Sequence, residues 1–286
     1  MTTVSKLELA GFEERRLSRS GTELRYLVGG SGPPLALVHG LGGCAANWRA
    51  IAPELAAERR VIVPELPGHG GSGPLRAGPT LEPFAEAVLA VLEAEDALPA
   101  PWVGHSLGGL VGLTAAARRP DAVTGLVLAA AAGISSATRV GRATVAALGL
   151  VKPGRILGRR RTVVSRSRLG RTVAFGWWGV ADPAALDPDL AEAFLAGPPQ
   201  HTDTLSAGRA LVATDPRLEL DRVTCPCLCL WGADDNWVPL QDGMEYARRL
   251  RAPLRSIAGC GHLLIGERPD VVVRAVREFL GGLAAG

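Results

Sequence analysis

The sequence predicts an α/β fold: a mainly parallel central sheet flanked by helices, with a helical segment inserted late in the chain. Three observations predict it. Short apolar runs alternate with stretches of helical periodicity, as parallel strands joined by crossover helices require. That alternation stops between about Gly133 and Thr214, where no strand-like run occurs. The 286 residues, 47% hydrophobic and 21% charged, suffice for one large core together with an insertion.

In order along the chain, Leu7 to Ser18 and Glu23 to Val28 alternate in polarity and predict an antiparallel hairpin leading into the sheet. Buried strands are predicted at Leu35–Val38, Val61–Val63, Trp102–Val103, Gly125–Ala129 and Cys227–Trp231. Leu254 to Ala258 is a further strand-like run. Helical periodicity runs over Ala45–Ala57, Leu81–Glu95, Leu107–Arg119 and Leu240–Arg251. Val272, Val276 and Phe279 recur at helical spacing and mark a closing helix over Arg268–Leu280. The predicted organisation is a core of residues 1–132 and 215–286, with residues 133–214 forming a helical cap.

Composition excludes several classes. A formal charge of +3 is small for this length and gives no ground for a nucleic-acid partner. No run reaches the roughly 18 apolar residues of a membrane-spanning helix. Met1 to Glu14 carries Lys6, Glu8, Glu13 and Glu14 and no apolar stretch, so no secretory signal is expected and a cytoplasmic location is. The five cysteines lack zinc-ligand spacing, and Cys225, Cys227 and Cys229 read as small buried side chains of a core strand. No metal is expected.

The chemistry gathers on Gly104-His105-Ser106-Leu107-Gly108, a G-x-S-x-G run between an apolar strand and a helix. That context is the one a nucleophile elbow needs. Ser106 sits on a sharp turn, the flanking glycines keep that turn open, and the helix that follows aims its free N–H groups and dipole at the site. The Leu107 N–H is one expected oxyanion donor. A serine hydroxyl is a poor nucleophile until a base takes its proton. Of five histidines, His262 lies just past the carboxyl end of a strand, where such sheets collect catalytic groups. His201, in the insertion, is a distant second. The acid is Asp234 or Asp235, adjacent residues after the strand ending at Trp231; the other reading makes them turn or capping residues, and this suits Asp234.

These motifs resemble the α/β-hydrolase family over nearly the whole chain except the insertion. The resemblance implies the α/β-hydrolase fold and the chain order Ser, Asp, His, met by Ser106, Asp235 and His262. Gly232, Asp235, Val238 and Pro239 match the family's G-x-x-D-x-x-V-P pattern, which selects Asp235 over Asp234. Gly261-His262 and Glu267-Arg268-Pro269 match its G-H and E-x-P segments. His39-Gly40-Leu41-Gly42 is similar to its oxyanion loop and implies the Leu41 N–H as second donor, with His39 holding the loop. Glu65, before Leu66-Pro67-Gly68-His69-Gly70-Gly71-Ser72, stands where the family often has Asp. Relatives that dehalogenate or open epoxides carry Asp at the Ser106 position, so those activities are not expected.

The resemblance implies a carboxylesterase-like serine hydrolase acting on a small-molecule ester without a cofactor. C–C bond hydrolysis and acyl transfer share the triad; Leu263, where C–C hydrolases often carry Trp, weakens the former. A non-catalytic ligand receptor is the reading of another class. Phe175, Trp177, Trp178, Phe194 and Leu205 line an acyl pocket in this reading, or else pack the cap against itself. Lys152 to Arg171 carries Lys152, Arg155, Arg159, Arg160, Arg161, Arg166, Arg168 and Arg171, and reads as a solvated face, the alternatives being a surface for an anionic membrane or acidic partner, or an arginine that holds a substrate carboxylate.

Overall fold

The computed structural model describes residues 9–135 and 153–285, apart from the side chains of Trp177 and Trp178 and of a few terminal positions. Part of the expected cap, Lys152 included, and the first residues of the expected hairpin lie outside the described residues.

Eight strands form one sheet in the order β1-β2-β4-β3-β5-β6-β7-β8. Strands β1 (Phe12–Arg19) and β2 (Thr22–Gly29) are the antiparallel hairpin, and β2 joins β4 (Arg60–Pro64) antiparallel. From there the sheet is parallel: β4 with β3 (Pro34–Val38), then β5 (Ala100–His105), β6 (Val123–Ala129), β7 (Cys227–Gly232) and β8 (Leu254–Ile257). The central strands read as continuous apolar runs because helices cover both faces. Leu35, Leu37, Val61, Val63, Trp102, Val127 and Trp231 are all fully buried.

Helices α2 (Glu82–Ala94), α3 (Leu107–Arg118), α9 (Leu240–Leu250) and α10 (Pro269–Ala285) match the periodic stretches. Ala45–Ala57 does not form one helix. It divides into a 3-10 turn, Ala45–Trp48, and a short α1, Ala52–Ala56. Pro53 sits in the first turn of α1, where its missing N–H costs nothing; inside a longer helix it would remove a hydrogen bond. The apolar period survives the break because Trp48, Ile51 and Leu55 still face the core.

Between β6 and β7 the described residues form helices: α4 (Pro153–Arg159), α5 (Arg161–Arg166), α6 (Arg168–Gly179), α7 (Pro188–Phe194) and α8 (Thr204–Ala213). Helix α6 is interrupted at Gly176, whose φ of 53° and ψ of 177° lie outside the helical region. These helices have a small apolar cluster of their own, built on Phe175, Val180, Leu186, Ala191 and Leu195. No helix among the described residues is long and apolar enough to cross a membrane. Cys227 and Cys229 are buried on β7, as expected, while Cys225 precedes the strand and is half-buried.

Candidate active site

Strand β5 ends at His105 and helix α3 starts at Leu107, leaving Ser106 alone to make the turn. Its φ is 53° and ψ −116°, a conformation that costs an L-residue energy unless its surroundings enforce it. Those surroundings are explicit. The Ser106 N–H donates to the Ala129 carbonyl at 2.9 Å, and the Ser106 carbonyl accepts from Gly109, Leu110 and Ala132. A Cβ on Gly108 would strike the Val38 and His39 carbonyls, so α3 lies against β3 only because this residue has none.

His262 follows β8, and Asp235 follows β7. His262 Nε2 is 3.1 Å from Ser106 Oγ, and His262 Nδ1 is 2.9 Å from Asp235 Oδ2. All three residues are buried, with Ser106 and His262 each 7% exposed. With Nδ1 facing a carboxylate, the neutral imidazole carries its proton there, leaving the Nε2 lone pair for the serine hydroxyl.

The carboxylate is held on its other oxygen too. Asp235 Oδ1 accepts from the Trp237 and Val238 N–H groups, both at 2.8 Å. The turn-holding role expected of Asp234 thus belongs to Asp235, whose two oxygens divide the tasks. Asp234 is exposed, and α9 is capped by neither residue but starts after Pro239. The loops after β7 and β8 meet closely: the Asp234 N–H donates to the Cys260 carbonyl at 2.9 Å. A Cβ on Gly232 would collide with the carbonyls of Cys260 and Gly261. The first glycine of G-x-x-D therefore sets how near Asp235 comes to His262.

The loop after β3 passes over Ser106, where a Cβ at Gly40 would lie 3.0 Å from the Ser106 Cβ. Neither the Leu41 nor the Leu107 N–H donates to a protein group among the described residues. His39 braces this loop: its Nδ1–H donates to the Gly40 carbonyl at 2.9 Å and its Nε2 accepts from the Leu66 N–H at 3.1 Å. Burial pushes the His39 pKa below the usual histidine value and keeps that pattern neutral. Glu65 serves the same loops. One oxygen accepts from the Ala45 N–H at 3.0 Å and pairs with Arg25 at 2.9 Å; the other accepts from the Gly71 N–H at 2.7 Å.

Three positioning contacts escape sequence reasoning. His105 turns away from Ser106, and its Nε2–H donates to the His262 carbonyl at 2.9 Å, with the two rings 5.1 Å apart. Burial lowers its pKa to about 3, so it stays neutral. His201 donates from Nε2 to the Gly42 carbonyl at 2.8 Å and accepts at Nδ1 from the Gly70 N–H at 3.0 Å. It ties the inserted segment to the loops beside Ser106 and is spent on that, with no contact to Ser106 itself. Between His39 and His201 lies His69, whose buried Nε2 has no hydrogen-bond partner among the described residues. Glu267 Oε2 accepts from Gly261 at 2.9 Å and from Ala181 at 2.8 Å, joining the His262 loop to the insertion. These partners are distant in sequence, so no local pattern announces them.

Of the expected acyl-pocket residues, Phe175 packs inside the insertion's own cluster. Phe194 packs between that cluster and the core, its ring against Gly266. Leu205 opens α8 and is 39% exposed. The side chains of Trp177 and Trp178 lie outside the described residues.

The family model of the alpha/beta hydrolase fold matches residues 33–269. The chain belongs to the α/β-hydrolase family. Similar α/β-hydrolases carry different names. The dihydrolipoyllysine-residue acetyltransferase component of the acetoin cleaving system of Pseudomonas putida is 33% identical over 91% of this chain and 67% of its own length. The 2-hydroxymuconate semialdehyde hydrolase of Pseudomonas sp. CF600 is 30% identical over 93% of both chains. The pimeloyl-[acyl-carrier protein] methyl ester esterase of Aromatoleum aromaticum is 34% identical over 87% of this chain and 99% of its own. The α/β-hydrolase fold here thus has homologues among esterases, a C–C bond hydrolase and an acyltransferase.

Proposed function

We propose that this α/β-hydrolase cleaves carboxylic esters through Ser106, His262 and Asp235 and a covalent acyl-enzyme. The observation that carries this reading is the unbroken hydrogen-bond chain from Ser106 Oγ through the His262 ring to Asp235 Oδ2. His262 Nε2 takes the hydroxyl proton as Ser106 Oγ bonds to the acyl carbon, and the carbonyl π electrons move onto oxygen. Asp235 stabilises the imidazolium that results and does not itself take the proton. The free N–H groups of Leu41 and Leu107 form the oxyanion hole, a contribution typically worth ~10²–10³ in kcat for each donor. The imidazolium then protonates the departing alcohol. Water, deprotonated by His262, attacks the acyl carbon; the bond from that carbon to Ser106 Oγ breaks, the imidazolium returns its proton to Oγ, and the carboxylic acid leaves.

The helices of residues 133–214 form the lid of this reading. The low exposure of Ser106 and the ties through Glu267 and His201 support it, since substrate must pass between insertion and core. Phe194, at their junction, contributes to the acyl pocket. Phe175 packs the insertion against itself, and Leu205 is exposed to solvent.

The esterase among the relatives supports an ester over other acyl compounds. The second reading, C–C hydrolysis, draws on the semialdehyde hydrolase and is opposed by Leu263. Turnover of a panel of p-nitrophenyl esters of increasing acyl length, beside a vinylogous diketone, separates the two. Ester turnover abolished in folded Ser106→Ala is the expected result. Full activity in that variant, or turnover of the diketone alone, overturns the proposal.

A further inference from the structure

The basic run in the insertion is only partly a solvated face. Arg171 is 5% exposed and donates to the Ser165, Pro183 and Ala184 carbonyls, joining α5, α6 and the segment before α7. Arg166 pairs with Asp189 at 2.6 Å and Arg161 with Glu192 at 3.6 Å, both on α7. Arg155, Arg159, Arg160 and Arg168 are exposed and have no carboxylate partner among the described residues. Residues 153–179 contain no Asp or Glu.

Interleaved with these four cations are four exposed aliphatic side chains. Ile156 is 69% exposed, Val163 72%, Leu169 74% and Val173 59%. They come one from α4, one from α5 and two from α6, where the four-residue spacing puts Leu169 and Val173 side by side. The inward sides of α5 and α6 are occupied: Ser165, Arg171 and Phe175 are buried. Each helix therefore exposes an apolar residue, and Ile156 and Leu169 each directly follow an arginine that has no carboxylate partner among the described residues. A face that served only solubility would carry the charges without the aliphatics.

We infer that the outer face of α4, α5 and α6 docks this protein on an anionic lipid bilayer. Aliphatic side chains enter the headgroup region, and guanidinium groups beside them meet lipid phosphates and carboxylates, as in an amphipathic helix lying in the membrane plane. The charge complement selects an anionic surface over a neutral one. Attraction to such a surface weakens when salt shortens the screening length. An anionic protein surface meets the arginines equally well but gives no reason for exposed aliphatics on the same three helices. The inference does not depend on the proposed chemistry.

The test is co-sedimentation of the full chain with phosphatidylcholine vesicles, with or without 30% phosphatidylserine, over a salt series. Expected is binding to the anionic vesicles, lost progressively as salt rises. Leu169→Ser with Val173→Ser weakens it at least tenfold, and Arg159→Glu with Arg160→Glu weakens it further, since each arginine near the surface contributes roughly fivefold. These side chains are exposed, so the variants fold, as an unchanged circular dichroism melt verifies. Equal binding to neutral vesicles, no binding at low salt, or indifference to both pairs of substitutions overturns the inference. So does a dimer in solution that the Leu169→Ser, Val173→Ser pair dissociates.

Discussion

The His105 Nε2–H donates to the backbone carbonyl of His262 at 2.9 Å, so the residue before Ser106 fixes the main chain of His262. Replacing His105 by Phe keeps the ring and removes the donor, leaving a buried carbonyl unsatisfied at a cost of about 1–3 kcal/mol. A lower Tm is expected together with a roughly tenfold fall in kcat at nearly constant KM, since a drift in His262 weakens the transition state more than ground-state binding. A variant that loses stability but keeps kcat would leave His105 a packing residue only.

Asp235 separates orientation from turn formation. In Asp235→Asn the amide oxygen still accepts from Trp237 and Val238, so the loop keeps its shape. The amide nitrogen faces His262 Nδ1 and favours the tautomer with its proton on Nε2, the wrong one for a base. Expected is a fall of ~10⁴ in kcat with an unchanged melt. Asp235→Ala loses both functions and lowers Tm as well. Equal melts for the two variants would show that the Trp237 and Val238 bonds do not hold the loop.

Gly108→Ala brings a Cβ onto the Val38 and His39 carbonyls, both main-chain groups that no side-chain rotation relieves. The α3 start must then shift away from β3. Overpacking of this kind costs typically ~1–3 kcal/mol, and Ser106 moves with the helix. Low expression or a depressed urea midpoint, with ester turnover lost, is the expected outcome. Wild-type stability would mean that α3 slides without penalty.

Acid stability depends on the buried histidines. Burial lowers the pKa of His201 to about 4 and that of His105 to about 3, from 6.5 in the unfolded chain. Above pH 6.5 both states are neutral and nothing is lost. As pH falls from 6.5 toward 4, the unfolded chain binds protons that the folded chain refuses, so stability falls. The loss from His201 levels off below about pH 4, where the folded side chain also protonates. Urea midpoints measured from pH 8 to pH 4 are expected to decline from near pH 6.5, less steeply in His201→Gln. A flat profile above pH 5 would contradict the buried neutral state of these rings.

Legibility in the sequence followed the range of the interaction that fixes each feature. Trp102-Val103 and Leu107 to Arg119 identify a strand and a helix by local periodicity, and Ser106 between them needs only its neighbours to be recognised. Ala45–Ala57 misleads because its apolar period is a property of the buried face, and Pro53 breaks the helix without disturbing that face. Asp234 and Asp235 are indistinguishable as residue types. The resemblance to a known pattern favours one, but the division of Asp235 between a turn and a histidine is visible only with the Cys260–His262 loop alongside.

By itself the sequence determined the α/β class and offered Ser106 and His262 as candidates through local pattern and position after a strand, while the family resemblance selected Asp235. Tertiary structure alone decided that His105 holds His262, that His201 braces the loops at Gly42 and Gly70, and that Arg171 is buried while Leu169 and Val173 are not. The physical reason is that a hydrogen bond between residues more than a hundred positions apart leaves no trace in local periodicity. Likewise, which side of a short helix faces solvent depends on what packs against the other side.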